Sequence, residues 1–78
     1  MKDIFLDTIT HLASNNDVLG LTKMRKIFEG LIANDICFDD VSLIELTELI
    51  DEIISVTNAN KLPVKIDTLP IYKLIKDN

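Results

Sequence analysis

Residues 39–56 form the most strongly patterned stretch of the chain, and they constrain its fold more than any other segment. The stretch contains neither Gly nor Pro, and its apolar residues recur at spacings of three and four. On a helical wheel with about 100° per residue, six of them share one arc: Leu43, Leu46, Leu49, Ile50, Ile53 and Ile54. The spacing predicts a helix over 39–56 that is capped by Asp39 or Asp40 and buries this arc.

The opposite arc of the predicted helix is acidic and carries five carboxylates: Asp40, Glu45, Glu48, Asp51 and Glu52. Residues 39–56 contain no Lys, Arg or His that could neutralise them. Val41 and Ile44 lie among these charges, so we expect both side chains to be exposed. Ser42 falls within the apolar arc, and the same geometry directs it toward the core.

Two interpretations of this acidic arc stay open. Isolated apolar residues and runs of charge are common on solvated surfaces, and such a surface needs no partner. Alternatively, the arc is a protein-recognition face on which Val41 and Ile44 supply apolar contact while the carboxylates steer a basic partner. The contact set expected for such a face is Asp39, Val41, Ile44, Glu45, Glu48, Asp51 and Glu52.

Helical spacing also occurs in the amino-terminal half. Residues 3–14 predict a helix that ends at the turn-forming residues 14–17. Residues 21–33 predict a long connection that contains at least one helical segment, with Thr22 as a possible cap. We expect three apolar residues around the end of this segment to enter the core: Leu31, Ile32 and Ile36. Its three basic residues are expected to form a solvated face: Lys23, Arg25 and Lys26.

The carboxyl-terminal third begins where residues 57–60 end the acidic helix. Because Pro63 cannot lie inside a helix, residues 61–66 are expected to form a connection or one short turn. A last helix is predicted from residue 67 or 68 to residue 76, with Pro70 tolerated in its first turn. The chain is therefore predicted to be all-α and to form a single compact domain over residues 1–78.

Composition narrows the possible partners. Thirteen acidic against eight basic residues give a net charge of −5, which disfavours nucleic acids and anionic membranes because both require a cationic surface. The single cysteine fits a reducing compartment. Asp3 and Asp7 interrupt the first apolar run, so we expect neither a signal peptide nor a membrane-spanning helix there. The expectation is a monomeric cytoplasmic protein with basic protein partners.

The sequence offers no constellation typical of an enzyme. His11 is the single histidine and is expected on a helix surface, without a second ligand or base at useful spacing. Cys37, between Ile36 and Phe38, is expected to be a small buried apolar residue. Tyr72 is expected at the edge of the core. We expect no metal site, because the acidic residues lack the Gly-bearing loop of a dedicated calcium site.

Residues 34–46 resemble the signature of the acyl carrier protein family, E-D-L-G-x-D-S-L-D-x-V-E-L. Without a gap, the chain reads N-D-I-C-F-D-D-V-S-L-I-E-L there. Positions that match in identity or type are Asp35, Ile36, Asp39, Val41, Ile44, Glu45 and Leu46. Further similarities are Gly20-Leu21 before the family's long loop, Leu62-Pro63, and Ile66-Asp67-Thr68-Leu69 at the start of its last helix. The resemblance implies a small four-helix bundle with three main helices and a short extra one between the last two.

The chain departs from the family at the residue that carries the cofactor. Asp40 stands where family members have the serine that accepts 4′-phosphopantetheine, and a carboxylate cannot form that phosphodiester. The resemblance therefore implies a carrier-like domain that presents its acidic helix to carrier-recognising proteins without a cofactor. Two alternatives stay open. One is a genuine carrier modified at Ser42, or at a parent serine at position 40. The other is a small helical interaction protein unrelated to carriers.

Overall fold

The computed structural model describes residues 1–61 and 63–77, and these residues are helical apart from their connections. The helices are α1 (Lys2–Ser14), α2 (Val18–Ala33), α3 (Leu43–Asn60), a 3₁₀ helix (Ile66–Thr68) and α4 (Pro70–Asp77). Phe38 and Val41 form an isolated antiparallel bridge, and the described part of the chain has no β-strand. The predicted all-α class is confirmed for these residues.

The first connection shows why α1 and α2 lie close together. After α1, Asn16 adopts a positive φ of 56°, a conformation that asparagine tolerates better than most residues. Asp17 then caps α2, because its Oδ1 accepts a 2.8 Å hydrogen bond from the Gly20 amide. A Cβ at Gly20 would lie 2.6 Å from Asp17 Oδ2 and 2.9 Å from Leu12 Cδ2. Glycine at this position lets the cap of Asp17 and the Leu12 side chain keep these places.

The structure corrects the prediction for residues 21–33. In place of a long connection, α2 is a continuous helix of 16 residues that begins at Val18. Thr22 is not its cap, because the Thr22 hydroxyl donates to the carbonyl of Val18 within the helix. Gly30 lies inside α2 despite its low helix propensity. The resemblance implies a long loop over this segment, and the structure has a helix there.

The bounds of α3 also differ from the prediction. Neither Asp39 nor Asp40 caps it, because the helix begins at Leu43 with Ser42 as its cap. It continues past residue 56 to Asn60, since Thr57 extends the buried arc by a further turn. It ends where Lys61 turns into the left-handed region, with φ of 60°, and its amide bonds to the carbonyl of Thr57 at 2.7 Å.

The last helix begins later than predicted because of Pro70. Residues 66–68 form a 3₁₀ turn, and Leu69 then takes an extended conformation with ψ of 130°. The residue before a proline disfavours the helical region, so α4 cannot begin until Pro70 itself. Residues 63–65 are irregular. Leu62, part of the Leu62-Pro63 similarity, lies outside the described residues.

One buried core joins all the helices. α2 and α3 make the most extensive contact, and the buried arc of α3 confirms five of the six predicted positions, with Ile54 half-buried. Phe5 of α1 meets Phe28 of α2 and Phe38 of the following connection edge to face, at 5.0 and 5.5 Å between ring centroids. The core residues are Leu6, Ile9, Ala13, Leu21, Phe28, Leu43, Leu46, Leu49, Ile50, Ile53, Ile66, Leu69 and Ile75.

Candidate functional site: an acidic concavity before α3

A concave surface of about 670 Å³ lies between the end of α2 and the start of α3. We call it the acidic concavity. Its floor is apolar, because Phe38, Val41 and Leu43 pack partly or fully into the core behind it. Ile36 and Ile44 stand at its edge and expose 44% and 58% of their surface. The full lining is Ile32, Asp35, Ile36, Cys37, Phe38, Asp39, Asp40, Val41, Ser42, Leu43 and Ile44.

The connection between α2 and α3 creates this shape. α2 ends at Ala33 with Asn34 as its cap, and Asp35 then adopts a positive φ of 57°, which reverses the chain direction. The Ile36 amide returns to the carbonyl of Leu31 at 3.0 Å and holds the reversal against α2. Ile36 is exposed rather than buried, which corrects its predicted place in the core. The helical spacing of α2 cannot predict whether a residue after the chain reversal at Asp35 will be buried or exposed.

Asp40 serves a different helix from the one predicted. Its Oδ2 accepts hydrogen bonds from the amino-terminal ammonium of Met1 at 2.8 Å and from the Lys2 amide at 2.9 Å. These contacts hold the pKa of Asp40 below its usual range, and the bond from the ammonium group is the main cause. Asp40 therefore binds the amino-terminal ammonium and one free N–H group at the start of α1, and it lies outside α3. The predicted interaction with the first turn of the acidic helix is wrong.

Ser42 caps α3 and is exposed, so its predicted direction into the core is also wrong. Its hydroxyl accepts a hydrogen bond from the Glu45 amide at 3.3 Å. Serine followed by glutamate three residues later is a typical start of a helix, and this signal was present in the sequence as Ser42-Leu43-Ile44-Glu45. The side chain of Ser42 stands on the wall of the acidic concavity.

The carboxylates of α3 and of the connection before it divide into paired and unpaired groups. Asp51 forms an ion pair with Arg25 of α2, with 2.6 Å between Asp51 Oδ1 and Arg25 Nε, and Arg25 Nη2 donates a 3.2 Å hydrogen bond to Asp51 Oδ2. Arg25 also pairs with Glu29. The bond to Asp51 is the main reason that the pKa of Arg25 is raised. Arg25 thus joins α2 to α3 and is not merely part of a solvated basic face. It also neutralises one charge that the sequence left uncompensated within α3.

The remaining acidic residues have no ion pair within residues 1–61 and 63–77. Asp35, Asp39 and Glu48 are exposed, and Glu45 and Glu52 are half-buried. Asp35 and Asp39 line the concavity, while Glu48 follows Ile44 by one turn along α3. The concavity therefore combines exposed apolar surface with carboxylates that no described cation neutralises.

The two apolar residues of the predicted recognition face behave differently. Ile44 is exposed in the first turn of α3, as predicted. Val41 precedes the helix, is half-buried and bridges Phe38, so its predicted exposure on a helical face is wrong. The second exposed apolar residue of the site is Ile36, which the sequence reasoning placed in the core.

Cys37, Tyr72 and His11 are the side chains that the sequence singled out for other reasons. Cys37 is exposed on the wall of the concavity, which corrects its predicted burial. Tyr72 is half-buried against the core, as predicted. His11 is exposed on α1, where its Nε2 lies 3.2 Å from the Asn15 amide nitrogen. The described residues contain no group of three metal-ligating side chains close enough to hold a metal ion.

Comparison with known proteins gives no assignment for this surface. No protein-family model, curated protein or solved structure matched the chain. Within the part that the structure describes, no helix is both long and apolar enough to cross a membrane.

Proposed function

We propose that this chain is a small protein-interaction domain that binds a basic amphipathic segment of a partner at the acidic concavity. The observation that carries the proposal is the combination of exposed Ile36 and Ile44 with the unpaired carboxylates of Asp35, Asp39 and Glu48. An exposed apolar patch beside uncompensated charge of one sign favours a partner with the opposite charge.

The energetics suit a weak and selective contact. Full burial of an aliphatic side chain contributes about 1.5 to 3 kcal/mol, so covering two isoleucines that are each about half exposed contributes roughly the same amount in total. The carboxylates add on-rate and selectivity more than affinity. A basic partner is therefore accepted and an acidic one of the same apolar content is rejected.

A partner segment that enters the concavity is expected to be helical. An extended segment needs an unpaired strand edge for its backbone, and residues 1–61 and 63–77 offer only the isolated bridge between Phe38 and Val41. Backbone groups buried against the apolar floor without partners would cost free energy. A helix satisfies its own backbone and presents one apolar face.

A synthetic amphipathic helix of leucine and lysine tests this proposal by calorimetry or fluorescence anisotropy. We expect it to bind, and we expect the matching leucine and glutamate peptide not to bind. Ile44→Ala should weaken binding, while Leu74→Ala on α4, where Leu74 is 54% exposed, should leave it unchanged. Equal binding of both peptides, or an equal effect of both substitutions, would contradict the proposal.

A narrower candidate is an acyl-carrier-like domain, and the position of Ser42 favours it. Ser42 is exposed, precedes α3 and borders the acidic concavity. The apolar floor of the acidic concavity could take up a thioester-bearing arm. A 4′-phosphopantetheine arm would therefore fit on the Ser42 hydroxyl better than at Asp40, whose carboxylate is engaged by the start of α1. If position 40 carries no arm, Asp40 instead marks a carrier-like domain without the cofactor.

Incubation with a broad-specificity phosphopantetheinyl transferase and coenzyme A, followed by intact-mass measurement, distinguishes a modified carrier from a carrier-like domain without the cofactor. A mass gain that Ser42→Ala abolishes would identify a carrier modified at Ser42. No gain in the wild type but a gain in Asp40→Ser would support the cofactor-free carrier-like domain. No gain in either protein would leave the interaction domain without a carrier relationship.

A further inference from the structure

The outward face of α2 is both apolar and basic. Leu19 and Ile27 expose 66% and 62% of their surface, and Lys23 and Lys26 are exposed between them. Neither lysine has an ion pair among the described residues. Two large exposed aliphatic residues with unpaired lysines between them form an unpartnered helix face.

Gly30 continues this face, and packing among residues 1–61 and 63–77 does not require a glycine there. A Cβ at this position would meet nothing within 4 Å, so α2 does not need glycine for packing. Glycine inside a helix costs about 1 kcal/mol relative to alanine. One use of such a residue is to let another backbone approach closely from outside.

The outward face of α3 has the complementary pattern. Ile44, Glu48, Asp51 and Ser55 are all exposed, and they stand at intervals of four, three and four residues. Residues at these intervals lie along one side of a helix. The face is apolar at its start, acidic in the middle and small at its end.

The two faces share one spacing with opposite charge. On α2 the order is Leu19, Lys23, Lys26 and Gly30, and on α3 it is Ile44, Glu48, Asp51 and Ser55. Each position on α3 follows its counterpart on α2 by 25 residues. In a parallel pairing, apolar meets apolar, both lysines meet carboxylates, and the two small residues meet at the end.

We propose that α2 of one molecule docks on α3 of a second copy of this chain in this parallel register. The proposal rests on the proposed function in one respect: it takes the acidic face of α3 as a docking surface and names a second copy as one basic partner. Asp51 keeps its bond to Arg25, and Lys26 joins that pair from outside. The association replaces the monomer that the sequence predicts.

The contact has a defined symmetry and a defined opposing force. Because two different faces meet, the contact is head to tail: the molecule that contributes α2 keeps a free α3 face, and the molecule that contributes α3 keeps a free α2 face. The net charge of −5 on each copy opposes association at long range. At an ionic strength of about 0.15 M the screening length is about 8 Å, so this repulsion is largely screened while pairs in contact persist.

Charge exchange between the two faces tests the proposal by sedimentation equilibrium. The proteins are the wild type, Lys23→Glu, Glu48→Lys and the double variant, and both sites are exposed and without ion pairs in the described structure. We expect each single change to weaken self-association about tenfold, because it replaces an attraction by a repulsion. The double variant and an equimolar mixture of the two single variants should recover the wild-type behaviour.

Two results would overturn the proposal. One is a wild type that keeps the monomer mass up to about millimolar concentration, and the other is equal association by all four proteins. The leucine and lysine peptide distinguishes this failure from failure of the proposed function. If the peptide still binds wild-type protein that does not self-associate, only the second-copy proposal is lost.

Discussion

Replacement of Ser42 tests the start of the acidic helix, on which the geometry of the concavity depends. The Ser42 hydroxyl accepts the Glu45 amide at 3.3 Å, which is long for a hydrogen bond. Loss of a serine cap costs about 0.5 to 2 kcal/mol, and the long distance places Ser42→Ala in the lower half of that range, at about 0.5 to 1 kcal/mol. For a domain of this size, the melting temperature should fall by roughly 2 to 8 °C.

Two further substitutions distinguish a cap from a core residue. Ser42→Asp should keep the stability within a few tenths of a kcal/mol, because aspartate caps as well as serine and its charge suits a helix start. Ser42→Val should cost about as much as Ser42→Ala, because valine cannot accept the amide hydrogen bond. If Ser42 instead pointed into the apolar arc, as helical spacing predicts, valine would stabilise the domain and aspartate would destabilise it.

Urea and thermal unfolding followed by circular dichroism supply the measurement. Ser55→Ala is the matched control, since Ser55 is exposed within the same helix and has no capping role. Alanine has the higher helix propensity, so this control should be neutral or slightly stabilising. Loss of stability in Ser55→Ala equal to that in Ser42→Ala would refute the capping argument.

Five other substitutions, considered in three groups, probe different parts of the fold. Asp40→Asn should lower the free energy of unfolding at neutral pH. The pKa of Asp40 is depressed below its ordinary 3.8 in the folded state, so its stabilising contribution is present above that value and disappears as acid protonates Asp40. The stabilities of wild type and Asp40→Asn, measured by unfolding at several pH values, should therefore converge in acid. Gly30→Ala, measured below the concentration at which the protein self-associates, should raise the free energy of unfolding by about 0.5 to 1 kcal/mol. Gly20→Ala should lower the free energy of unfolding, because the new Cβ meets Asp17 and Leu12. The opposite order of stabilities would contradict the packing described. Ile53→Ala should cost about 2 to 5 kcal/mol in urea titrations, and the exposed Ile44→Ala on the same helix less than about 0.5 kcal/mol, so similar losses would show that Ile44 is not exposed.

Apolar spacing predicted α1 and the buried arc of α3, but similar spacing over residues 21–33 was assigned to a long connection where the structure has α2. The buried arc of α3 followed from intervals of three and four, and α1 was predicted to within one residue because the turn-forming residues after it are unambiguous. The ends of α3 could not be placed in the same way. Its start depends on which of several capping residues the chain uses, and its end depends on Thr57 extending the buried arc.

The site was harder to predict because its residues lie in a connection. Ile36, Cys37 and Val41 have no periodic neighbours after the chain reverses at Asp35, so their burial depends on tertiary packing. Asp40 contacts Met1 and Lys2, which precede it by 39 and 38 positions, and no local sequence pattern predicts such a contact. The sequence did indicate an acidic surface with Ile44 exposed on it, and those features are properties of one helix.

An NMR titration of isotopically labelled protein with the leucine and lysine peptide tests the central claim most directly. We expect the amide signals of residues 35–48 to shift on binding, while those of residues 63–77 stay in place. Shifts centred on α1 or α4, or shifts spread evenly over the chain, would contradict a docking surface at the acidic concavity.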